Sequence, residues 1–268
     1  MTINPNIMRI ISSEILEDPA QYAKERSYPD RIMMVEDPTG LRGQVVKIRL
    51  VRGDPIIAGS YRVELSRDYY TSEYALGTGG GWYWWSYMLD PEWAEKFKLL
   101  KATNPQWQDY SINIQQFKTR NTDNFIHPKW TVVVNEFGVC LRKWSQSDTP
   151  KKYEIVALWP VDSLIWHDVV SYIYWSTGRD GVFELYLDDK LIYRYLGPTV
   201  YEGVTRGCYW KQGIYAPGSY PAGIDDLTIY AQGLRQVYPA GGSYLECRTV
   251  PAKFPPQVTQ LRVKMDKI

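Results

Sequence analysis

Between residues 44 and 231 the chain falls into short runs rich in β-branched and aromatic residues, each ended by a turn signal. QVVKIRLV (44–51) and YRVELS (61–66) flank RGDPIIAGS, and GWYWWSYML (81–89) follows the glycine run GTGGG. SINIQQF (111–117), TVVV (131–134) and VCLRKW (139–144) come next, the last two separated by NEFG. WHDVVSYIYWS (166–176) turns through TGRDG into VFELYL (182–187), and LIYRY, CYWKQGIY (208–215) and DLTIYA (226–231) close the series. Turn residues at this spacing break helices repeatedly but suit strands. One segment differs: DPEWAEKFKLL (90–100) opens with an Asp N-cap and Pro at the first helical position, which predicts a single short helix. The expectation is an all-β jelly-roll sandwich of two antiparallel sheets. No internal repeat or low-complexity linker divides the chain, so a single domain over 1–268 is expected, with its core at about 29–235 and weakly periodic extensions at both ends.

Charge narrows the partners. Lys plus Arg number 31 against 30 Asp plus Glu, so there is no global basic field of the kind that holds nucleic acid. An anionic ligand must therefore meet a local cluster of cations. The three cysteines (Cys140, Cys208, Cys247) are far apart and fit neither a disulfide framework nor a zinc site. The N-terminal stretch MTINPNIMRIISSEILEDP has no continuous apolar segment, and no run approaches a membrane span. The expectation is synthesis in a cytoplasm without a signal peptide, with release by lysis or as part of a virion. GTGGG leads into a strand with no Lys-Ser/Thr after it, so it reads as a turn and not a phosphate loop. Most of the 22 Tyr and 11 Trp suit the core of a β-rich domain, and a surplus of flat rings also suits the apolar faces of pyranoses in a sugar-binding cleft.

Strand parity picks out the chemistry. Side chains alternate between the two faces of a strand. YRVELS sets Arg62, Glu64 and Ser66 against Tyr61, Val63 and Leu65; SINIQQF sets Asn113, Gln115 and Phe117 against Ile112 and Ile114. CYWKQGIY sets Tyr209, Lys211, Gly213 and Tyr215 against Trp210 and Ile214. A glycine inside a strand marks a bulge or a close approach by backbone or ligand. Alone, this window also fits an edge strand with a snorkelling lysine and a half-buried tyrosine.

RxEL, a glutamine two places before a key position, and YxKxGxY together resemble the jelly-roll polysaccharide lyases, within them the heparin lyase I-like group, related in fold to alginate and glucuronan lyases. DRIMMVEDPTGLRGQVVKIRLVRGD (30–54) and WHDVVSYIYWSTGRDGVFELYLDDKLIY (166–193) are similar to that group's opening strands and hairpin, so the likeness spans roughly 29–235. The resemblance implies a concanavalin A-like jelly roll acting on an anionic, uronic-acid-containing polysaccharide by β-elimination. It also implies that Tyr215 is general base and acid, that Lys211 and Arg62 are cationic neighbours, and that Gln115 binds the substrate carboxylate, all in one concave groove. The residue types suit the reaction. Donors that neutralise the carboxylate stabilise the enolate formed at C5, and a phenol with an ordinary pKa of about 10 needs nearby cations to act as a base. Asn113, Glu64, Tyr209 and His127 are further candidates for substrate binding.

One position departs from the pattern. The family has Gln-x-His where this sequence has Gln115-Gln116-Phe117. The two histidines of the chain, His127 and His167, stand elsewhere, and His167 beside Trp166 reads as structural. A second reading therefore stands beside the enzyme: a non-catalytic carbohydrate-binding or structural module on the same fold, such as a component of a phage particle. No metal or cofactor is expected at the site. Structural calcium suits a jelly roll of this kind, but the adjacent Asp225 and Asp226 point to opposite faces of a strand and read better as a solvated turn.

Overall fold

The computed structural model describes residues 23–25, 28–57, 59–67, 80–103, 111–119, 128–148, 151–204, 208–216 and 223–237. Among these, the strands are β1 (Ala23–Glu25), β2 (Ile32–Glu36), β3 (Gln44–Val51), β4 (Tyr61–Arg67), β5 (Gly80–Leu89), β6 (Ile112–Thr119) and β7 (Trp130–Asn135). They continue with β8 (Gly138–Asp148), β9 (Lys151–Trp159), β10 (His167–Tyr174), β11 (Val182–Leu187), β12 (Lys190–Leu196), β13 (Cys208–Ala216) and β14 (Asp226–Val237). The expected helix is α1 (Trp93–Thr103), with Asp90 Oδ1 accepting the Glu92 N–H just before it. Two seven-stranded antiparallel sheets result, in the orders β1-β4-β13-β6-β7-β8-β9 and β12-β11-β10-β5-β14-β3-β2. The expected two-sheet sandwich is observed, and no described helix is long and apolar enough to cross a membrane.

Aromatic side chains fill the space between the sheets. Phe117 of the first sheet meets Tyr83 and Trp175 edge-on at 5.2 and 5.5 Å, and Trp130 stacks on Phe183 at 4.0 Å. Several of their polar handles are satisfied inside: Trp175 Nε1 donates to Tyr83 Oη, Trp159 Nε1 to Tyr87 Oη and Trp130 Nε1 to the Thr199 carbonyl. Burying each such side chain stabilises the fold by about 1.5–3 kcal/mol. The aromatic run of β5 has its reason here. Tyr83, Trp85, Tyr87 and Leu89 face the inter-sheet core, while Trp84 and Met88 pack into smaller clusters on the opposite face. A strand covered on both faces need not alternate.

Candidate active site

The side-by-side strands β4, β13 and β6 position the site. Tyr215 stands opposite Arg62 and Asn113, Gly213 opposite Glu64, Lys211 opposite Ser66 and Gln116, and Tyr209 opposite Lys118. Directly paired residues share a face. These polar residues therefore occupy the outer face of the first sheet, while Val63, Leu65, Trp210 and Ile214 from the same strands lie in the core. Arg62, Glu64, Gln116 and Lys211 form a buried floor, and Asn113, Lys118, Tyr209 and Tyr215 a half-buried rim.

Glu64 organises the floor. Only 2% exposed, it accepts Gln116 Nε2 on Oε1 at 2.6 Å and Lys211 Nζ on Oε2 at 3.3 Å, with Arg62 Nη1 3.6 Å away. A carboxylate this deep is tolerated only when paired and hydrogen-bonded. Glu64 was expected to touch substrate; its oxygens are instead engaged by protein groups, and it holds the cations in place. The Arg62 guanidinium lies 4.5 Å from the centroid of the Tyr215 ring, and Ser60 Oγ donates to Tyr215 Oη at 3.0 Å. Burial, then the charges of Lys211 and Arg62, push Lys118 down to about 8.

Gly213 answers the question its position raises. With φ at +153°, its missing Cβ would sit 2.3 Å from the Val63 carbonyl oxygen and 2.6 Å from Glu64 Cα. Only glycine lets β13 approach β4 here, and that approach brings Tyr215 beside Arg62.

On β6 the structure corrects the sequence reading. Two residues of β6, Ile114 and Gln115, advance while β7 advances by one, so strand parity slips at a bulge. Beyond it Gln115 pairs with Val132 and Gln212, both on the interior parity, and its Nε2 has no hydrogen-bond partner among the described residues. Gln212 reaches across the sandwich to the Ser86 carbonyl. Gln116 takes the outer face that was expected for Gln115. Phe117, 2% exposed, is a core residue and does not occupy a vacated histidine position. His127 lies outside the described residues. His167 belongs to the other sheet, where its Nδ1 is 2.8 Å from Asp188 Oδ2 and its ring packs near Tyr87. Asp226 pairs with Arg49 and Lys96, and Asp225 with Arg52, so these two carboxylates serve separate ion pairs.

The family model for polysaccharide lyases matches residues 18–238. The chain belongs to the polysaccharide lyase family. A search of curated proteins finds no match. Among solved structures, a glucuronan lyase from the fungus Trichoderma reesei is similar, with 16% identity, a TM-score of 0.59, and 81% of this chain and 90% of that one covered. An alginate lyase from Pseudomonas aeruginosa follows at 11% identity and a TM-score of 0.53, over 83% and 100% of the two chains. The catalytic domain of a GH131 β-glucanase from Podospora anserina has a TM-score of 0.50 at 14% identity, over 82% and 85%. At these identities the likeness is one of fold, and the site must carry the chemistry.

Three of this lyase's outer-face residues carry no sequence signal of their own. Gln116 and Lys118 are hidden by the slip in β6, and Ser60 precedes the regular part of β4. Pairing β6 against the unbroken alternation of β13 would have exposed the slip. A cleft of about 670 Å³ lies elsewhere, between α1 and the β7–β8 turn, lined by Phe97, Lys98, Glu136, Phe137 and Leu158 among others. Among the described residues, none of those expected at the site lines it.

Proposed function

We propose that this lyase cleaves a uronic-acid-containing polysaccharide by β-elimination, with Tyr215 as both base and acid. One observation carries the reading: a half-exposed phenol lies against Arg62, accepts a hydrogen bond from Ser60, and stands in register with Asn113 beside the Lys211–Glu64–Gln116 cluster. Arg62 over the ring and Ser60 at the hydroxyl hold the phenol in one orientation. Reacting as the phenolate, Tyr215 Oη takes the C5 proton, the C–H electrons form the C4–C5 double bond, and the C4–O4 bond breaks. The same phenol then returns its proton to O4. Asn113, facing Tyr215, supplies the amide donor to the substrate carboxylate, the role first read for Gln115. Arg62, Lys211 and Lys118 provide the positive field in which the enolate develops.

A glucuronan lyase and an alginate lyase on this fold support a polyuronate substrate. The likeness of RxEL and YxKxGxY to the heparin lyase I-like group supports testing uronate-containing glycosaminoglycans beside it. The test incubates the protein with polyglucuronate, alginate and glycosaminoglycans and follows the ultraviolet absorbance of unsaturated sugar ends. The wild type should generate that signal, and Tyr215→Phe should lower it by about 10²–10⁴-fold while the thermal midpoint stays put. Glycan binding without cleavage by the wild type would leave only a binding module on the lyase fold.

A further inference from the structure

The register that assembles the Tyr215 site continues across the sheet. Lys211 pairs with Gln116, Gln116 with Thr131, Thr131 with Arg142, and Arg142 with Ile155 on the edge strand β9. Each pairing keeps the side chain on the same face, so Arg142 shares the outer face with Lys211, three strand spacings or roughly 14 Å away. Two residues along, Trp144 pairs with Tyr153 on that face, their ring centroids 5.1 Å apart. Both rings are half-buried. The Arg142 guanidinium lies 4.0 Å from the Tyr153 centroid and donates through Nη1 to Ser111 Oγ, one residue before β6. A buried cation anchored to β6 thus fixes the tilt of a ring on β9. A cation–π contact of this kind holds an aromatic plate in one orientation.

We infer that Tyr153 and Trp144, with Arg142 as the positioning residue beneath Tyr153, form a distal sugar-binding subsite for the same polysaccharide chain that reaches Tyr215. The inference rests on the proposed function. Fixed, half-exposed rings meet the C–H face of a pyranose without ordering cost, whereas carboxylates along the chain meet the cations at the other end of the row. A polymer crossing the strands engages both ends; a short oligomer at Tyr215 does not reach β9. The subsite selects long substrates and favours cleavage inside a chain.

The experiment measures binding of polyglucuronate and polymannuronate oligomers, from dimer to octamer, by calorimetry in a Tyr215→Phe parent. Affinity should rise with length. Tyr153→Ala and Arg142→Met should remove that rise, weakening the octamer on the order of tenfold relative to the parent, and dimer binding should not change. Tyr153→Phe, which keeps the ring, should restore it. A purely structural role for Arg142 would lower the thermal midpoint and leave the length dependence intact. Octamer binding by a folded Tyr153→Ala variant as tight as the parent's overturns the subsite alone. A parent that binds no oligomer, together with a wild type that cleaves no polyuronate, overturns the proposed function and the subsite with it.

Discussion

Gly213→Ala tests how the site is assembled. The added Cβ would stand 2.3 Å from the Val63 carbonyl oxygen and 2.6 Å from Glu64 Cα. Both are backbone atoms, so no side chain can swing aside, and β4 and β13 must part. Overpacking of this kind costs about 1–3 kcal/mol. Holding an alanine at a φ of +153° adds strain of about 1–3 kcal/mol. The sum, roughly 2–6 kcal/mol, is a large share of a domain stability of about 5–15 kcal/mol. The loss of activity should exceed the loss of folded protein, because the parting strands carry Arg62 and Glu64 on one side and Lys211 and Tyr215 on the other. Gly203→Ala is the control: φ is +77° there but nothing lies within 4 Å of the new Cβ, so only conformational strain of about 1–2 kcal/mol is expected. Urea denaturation of both variants and kcat/KM on the cleaved polyuronate provide the readout. If Gly213→Ala is no less stable than Gly203→Ala, the close approach of β4 and β13 does not exist as described.

Phe117→His should not install the family histidine. It replaces a core ring packed on Tyr83 and Trp175 with a smaller polar one, at a cost of about 2–4 kcal/mol; a variant that folds normally and gains lyase activity would show that residue 117 faces the substrate. Lys118, pushed down to about 8 by burial and by Lys211 and Arg62, carries its charge below that pH and loses it above. The kcat/KM on an anionic polymer should therefore fall as pH rises through about 8, and Lys118→Gln should flatten that part of the profile. An unchanged alkaline limb in the variant would remove Lys118 from substrate binding.

Much of the site is legible because strand alternation is a local property. On β4 and β13 the pleat is unbroken, so Arg62, Glu64, Lys211 and Tyr215 fall on one face by counting in twos, with Trp210 and Ile214 in the core. Counting fails on β6. There a bulge without a glycine to mark it moves Gln116 outward and turns Gln115 and Phe117 in. β9 escapes a pattern reading for a related reason. As an edge strand it keeps Ile155 and Leu158 exposed, so KKYEIVALW shows no clean division into an apolar and a polar face.

Residue types, strand periods and the turns between them follow from interactions among near neighbours in the chain, and these point to a jelly roll with cations, amides and a phenol on polar faces. Which polar faces meet is decided by pairing between distant segments. Glu64 meets Gln116 across 52 positions and Lys211 across 147, and Arg142 reaches the level of Lys211 only because three successive strand pairings keep register. A one-residue slip anywhere along that row inverts every face beyond it. Register is set by the summed fit of backbone hydrogen bonds and core packing over whole sheets, so only the folded structure turns Gln116 and not Gln115 toward the site.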